Sequence, residues 1–153
     1  MEFLIEYSKN DSDYVYWAGC HEVWKELLQF SEKDWTDLRI DIAEWDELIV
    51  EVFIECILYG DRDFELKATS KLIDERSAIL CSIFSIRDSF GIRDNIIEST
   101  HIFTLGNKNK LSELLTVRNW AVTIEKESDY KIVPILKDYL NQAIENTINQ
   151  KNE

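Results

Sequence analysis

The stretch "SEKDWTDLRIDIAEWDELIVEVFIE", Ser31 to Glu55, decides how this chain folds. It reads as helix, and its carboxylates recur on one side. Ser31 is suited to cap the first turn, although the acid three residues on is Asp34 and not the Glu of a full capping box. The helix either breaks near Ala43 or continues to Tyr59. If it continues, a period of about 3.6 residues places Asp34, Asp37, Asp41, Glu44, Glu47, Glu51 and Glu55 within roughly a third of its circumference. Each like-charged neighbour pair costs an isolated helix about 0.2–0.5 kcal/mol, so the whole stripe costs roughly 1–3 kcal/mol, which Lys33 and Arg39 offset in part. A domain of ordinary stability can carry that cost.

Outward from this segment, helical signals dominate. Asp11 or Ser12 can cap a helix to about Phe30, with Tyr16, Cys20, Val23 or Trp24, Leu27 and Leu28 at helical spacing. Gly60 is placed to end the Ser31 segment in the left-handed conformation. Further helices are predicted from Asp63 to about Ser89, from Ile92 to Leu105, and from Lys108 to Lys126. In the last, Ile132, Ile135, Leu136, Tyr139, Leu140, Ala143, Ile144 and Ile148 form an apolar stripe of period 3.6. Pro134 falls in its first turn, with Ser128 or Asp129 as the cap. "EFLIEY" at the start is the one strand candidate, and one strand does not make a sheet. The predicted class is all-α, with six or seven helices in an antiparallel bundle or a short α-solenoid.

Composition sets the bounds. A chain of 153 residues with 45% hydrophobic content, four glycines and one proline reads as a single helical domain, with no linker before the polar "NQKNE". The N-terminal "MEFLIEYSKND" has neither the basic nor the apolar region of a secretion signal, and the apolar tract "LIVEVFIECILY" is cut by Glu51 and Glu55. Cys20, Cys56 and Cys81 are odd in number and widely spaced, which predicts apolar fillers in a reducing cytoplasm. Net charge is −13, and its distribution carries more information than its size. Residues 1–65 hold 18 Asp/Glu against 5 Lys/Arg, whereas residues 66–153 hold 12 of each. The excess belongs wholly to the N-terminal part, and it points to a basic partner or to a solvated face.

Catalytic and metal motifs are weak. Glu98 and His101 have the ExxH spacing of di-iron carboxylate bundles, but His21 has Ala18 where a second such Glu belongs. "HEVWK" opens like HExxH and has Lys25 at the second His. No GxSxG, GxGxxG or Walker loop occurs, and thirty acids make any single carboxylate pair nonspecific as a glycosidase signal. The expectation is therefore no enzyme, no metal and no cofactor, with a carboxylate-rich metalloenzyme as the third alternative. No Lys/Arg cluster exceeds "KNK" at Lys108–Lys110, so neither nucleic acid nor a membrane is an expected partner.

Four of five tryptophans, Trp17, Trp24, Trp35 and Trp45, lie in the acidic part with Tyr14 and Tyr16. Most are expected in the core, with Tyr14, Tyr16 and Trp35 as candidate interface anchors. An apolar-basic pair recurs at Leu38, Leu66, Ile92 and Val117, and Val117, Arg118 and Ala121 resemble the V-R-x-x-A element of HEAT-type repeats. That resemblance implies a peptide- or protein-binding adaptor. Small, acidic, helical and without a catalytic signature, the chain is also similar in general character to bacterial immunity proteins. This second resemblance implies an inhibitor that neutralises a toxin with a basic cleft, such as a nuclease, through Asp34, Asp37, Asp41, Glu44, Glu47 and Glu51 with Tyr14, Tyr16 and Trp35 nearby.

Overall fold

The computed structural model describes residues 13–59 and 70–150, with side chains from Gly19 to Tyr59 and from Lys71 to Gln150. Among them are seven α-helices and no strand: α1 (Asp13–Gln29), α2 (Glu32–Asp41), α3 (Glu47–Tyr59), α4 (Ser70–Ile86), α5 (Phe90–Glu98), α6 (Leu111–Glu127) and α7 (Pro134–Gln150). A 3-10 turn, Thr100–Thr104, follows α5. The all-α class expected from the hydrophobic periodicity is the class observed. The strand candidate "EFLIEY", the Asp11 or Ser12 cap, the Gly60 cap and the Leu66 pair lie outside the described residues.

The chain forms two compact units, Met1–Leu72 and Ile73–Glu153. Their charges differ sharply. The first holds 18 acids against 7 bases and the second 12 against 10, so the boundary of packing nearly coincides with the boundary of charge.

In the first unit α1 packs on α3. Trp24 Nε1 donates to the Cys56 carbonyl between these helices. Cys20 and Cys56 are both buried, and the Cys56 thiol is pushed up by its hydrogen bond with Cys20 and by burial. It therefore stays a neutral filler.

The stretch from Ser31 to Glu55 is two helices, the earlier of the two predicted alternatives. Ile42 and Ala43 leave α2 in a turn, and α3 starts after Asp46, whose carboxylate accepts from Leu48 N at 3.0 Å. The physical reason is burial together with capping. The turn lets Ile42 reach 0% exposure and brings Trp45 edge-on to Phe53 at 5.3 Å, while Asp46 satisfies an amide at the new helix start.

Ser31 and Asp34 close a full capping box despite the shorter acid. Asp34 N donates to Ser31 Oγ at 3.3 Å, and Ser31 N donates back to Asp34 Oδ2 at 2.8 Å. Ser31→Ala is expected to destabilise the first unit by about 0.5–2 kcal/mol, read as a lower denaturation midpoint at unchanged m-value.

In the second unit the 3-10 turn packs on α7, and α6 packs on α7. Thr100 Oγ1 donates to the Leu136 carbonyl at 2.9 Å, and the Glu125 carboxylate takes Lys137 Nζ and Ile132 N. This unit departs from the expected pattern at three places. The helix predicted to Leu105 ends at Glu98 and tightens into the 3-10 turn. Ser128 ends α6, its backbone N–H bonding Ile124 O, and does not cap α7, which begins six residues later at Pro134. The α7 stripe is buried at Leu140, Ala143 and Ile144, but Ile135 and Ile148 remain 49% and 42% exposed.

The loop after the 3-10 turn is held to α4 by side chains. Asn107 N donates to Asp74, Lys108 Nζ to the fully buried Glu75, and Ser77 Oγ to Asn109 Oδ1. Asn109 Nδ2 completes the network at Phe103 O, 2.8 Å away, so the buried amide is satisfied from both ends.

Candidate functional site

The first unit carries an open groove of about 430 Å³ between helices α1, α2 and α3. Helical spacing builds its first wall: Glu22 and Glu26 are four residues apart on α1, and Val23 and Leu27 repeat the same interval one position on. The second wall is α2, which turns Asp34, Asp37, Leu38 and Asp41 toward the same space. Phe30 at the α1–α2 junction, Trp45 in the α2–α3 turn and Phe53 on α3 complete the lining. The result is an apolar floor with carboxylates contributed by two helices.

The five acids are not equivalent. Asp34 is committed to the capping box, and the hydrogen bonds from Ser31 hold its carboxyl below the usual aspartate value. Glu22 pairs with Lys25 at 2.6 Å, and the ammonium beside it lowers its pKa. Asp37 pairs with Lys33, whose own pKa is raised by that hydrogen bond. Glu26 and Asp41 have no ion pair or side-chain hydrogen bond among the described residues. These two are the acids available to an incoming cation without breaking an existing bond.

Of the six acids expected to act together, Asp34, Asp37 and Asp41 line the groove. Glu44 lies exposed in the α2–α3 turn, and Glu47 and Glu51 lie on α3; none of these three lines it. The single stripe is therefore split by the helix break. Trp35, expected as an anchor, is 1% exposed and packs edge-on to Phe30 at 5.2 Å, which makes it core. The side chains of Tyr14 and Tyr16 lie outside the described residues.

No family model, curated protein or solved structure matches this chain.

Among the described residues no three His, Cys, Asp or Glu stand close enough together to hold a metal ion. Glu98 ends α5 while His101 belongs to the 3-10 turn, with its ring 6.3 Å from that of Tyr139, so the ExxH pair spans a helix junction instead of one helix face. No helix of the described residues is long and apolar enough to cross a membrane.

Sequence reading missed most of the groove: Glu22, Glu26 and the apolar residues Val23, Leu27, Phe30, Leu38, Trp45 and Phe53. The acids of α1 were legible as an i,i+4 pair beside an apolar i,i+4 pair. Their convergence with α2 was not, because it depends on the turn at Ile42.

Acid should weaken both the fold and the rim. Asp34 and Glu22 in the first unit and Glu125 in the second have lowered carboxyl pKa values. Their stabilising contributions are complete above the unfolded values and are lost as pH falls through the lower folded ones. The thermal midpoint is expected to fall modestly as pH drops below the ordinary carboxylate range, because solvent screens these exposed pairs. Ser31→Ala should flatten that slope in part, because Asp34 then loses the hydroxyl hydrogen bond that lowers it most and keeps only the one from the residue 31 backbone N–H; an unchanged slope would mean that the hydroxyl does not hold Asp34 down.

Proposed function

We propose that this chain is a protein-binding inhibitor of the immunity type, which captures a basic partner through the groove and neutralises it. The carrying observation is the combination of carboxylates on two walls with an apolar floor. Charge alone gives fast, salt-sensitive encounter, whereas apolar burial slows dissociation, and an inhibitor needs both. A toxin with a basic active-site cleft, such as a nuclease, has the complementary charge, and a carboxylate wall seated there excludes the phosphate substrate. In this reading the chain acts by binding and not by catalysis, and it acts in the cytoplasm, where three buried thiols suit a reducing milieu.

Capture from the source cell on the tagged full chain, at low and at raised salt, tests the proposal. A basic protein retained at low salt and weakened by added salt supports it, and loss of that protein's toxicity or nuclease activity on mixing completes it. A partner held equally at both salts shifts the reading toward the groove-binding adaptor. If no basic protein is retained, the inhibitor reading fails.

A further inference from the structure

The groove also constrains the shape of what it binds. Resting on the reading that it is the partner surface, we propose that its occupant is an amphipathic α-helix of a partner protein, with one apolar stripe flanked on both sides by Lys or Arg.

Three observations lead there. First, the walls are helices α1 and α2, whose backbone groups are bonded within each helix, so among the described residues the groove offers no sheet edge. An extended peptide would bring its own N–H and C=O groups over an apolar floor without partners, whereas a helix arrives with those groups already satisfied. Second, the dimensions suit a short run of helix. Asp34 to Asp41 spans eight residues of α2, about 10 Å of rise, which is about two turns of a helix laid alongside. Anchors at i, i+3 or i+4 and i+7 of the occupant would meet the floor formed by Leu27, Leu38, Trp45 and Phe53. Third, the charge lies on both sides. Glu22 and Glu26 come from one wall and Asp34, Asp37 and Asp41 from the other, so complementary cations are required on both flanks of the apolar stripe.

The same charges argue against other occupants. A second copy of this chain carries −13, and its first unit repeats the same acids, so it would be repelled. Anionic lipid headgroups and nucleic-acid phosphates meet the same repulsion.

The test uses the full chain and a synthetic peptide of about 18 residues, leucine and lysine, with the leucines on one face and lysines on both flanks. Comparators are a peptide of identical composition with leucines spread around the helix, and spermine as a small polycation. Binding is followed by tryptophan fluorescence and by amide chemical shifts. The striped peptide is expected to bind at least about tenfold more tightly than either comparator, with shifts concentrated in α1, α2 and the α2–α3 turn. Leu38→Lys, which places a cation in the floor, and the pair Glu26→Lys with Asp41→Lys should each weaken it by at least about tenfold.

Equal binding of the scrambled peptide or of spermine would show that the groove reads charge alone, which overturns the helix inference. If the striped peptide fails while a basic folded protein is captured and then lost with Glu26→Lys and Asp41→Lys, the partner presents a folded surface; the helix inference falls and the inhibitor proposal stands. If neither the peptide nor a basic protein binds, both fall.

Discussion

Glu26→Lys and Asp41→Lys combined with Asp37→Asn are expected to slow association with a basic partner by about 10- to 100-fold at low salt, with a much smaller effect on dissociation. The five rim carboxylates sum to −5 and the three substitutions add five positive units, so those five positions sum to zero without touching the apolar floor. Asp34 is deliberately spared. It closes the capping box of α2, and its loss would confuse a binding effect with unfolding of the wall. Glu22 is spared because Lys25 already neutralises much of its charge. Stopped-flow association at several ionic strengths provides the measurement. The wild-type rate should fall steeply with salt and the variant's should hardly change, the two converging at high salt. Parallel salt dependences would show that the groove acids do not steer the partner.

The largest expected loss of stability lies in the other unit, at Gly106. A Cβ there would stand 2.4 Å from Ser77 Cβ and 2.8 Å from Ser77 Oγ. Backbone conformation is not the constraint, because no described glycine has positive φ. Close approach is the constraint: Ser77 is fully buried on α4, and its hydroxyl donates to Asn109 within the network that holds the 105–109 loop. Gly106→Ala must displace the loop or the helix. Overpacking costs about 1–3 kcal/mol, and breaking the Ser77–Asn109 bond leaves a buried amide oxygen short of a donor at about 1–3 kcal/mol more. For a unit of this size the sum lowers the thermal midpoint by on the order of 10 °C or more. Ser77→Gly removes the atom that the new methyl meets, so the double variant should be less destabilised than the sum of the two singles. Strict additivity would mean that the contact is relieved elsewhere.

These two sites differ in how much of them could be read in advance. The acids of Ser31–Glu55 were visible as a periodic pattern, because helical spacing is local and needs only the chain's own geometry. Whether they formed one stripe depended on the burial of Ile42 and on the packing of Trp45 against Phe53 across the turn, which helical period alone does not specify. Trp35 illustrates the same limit: an aromatic beside acids reads equally well as anchor or core, and packing against Phe30 makes it core. The Gly106 network was invisible, since Asp74, Glu75 and Ser77 are more than thirty residues from their partners.

The sequence by itself determined the all-α class, the approximate places of the helices and the concentration of negative charge in the N-terminal part. All three follow from local periodicity and composition. Only the tertiary structure decided that the acidic stripe breaks at Ile42, that α1 supplies a second acidic wall, and that the two walls enclose an apolar floor. Those outcomes arise because burying Ile42 and seating Trp45 on Phe53 outweigh continuing one helix, and that balance is struck by packing between helices and not by the period of one helix.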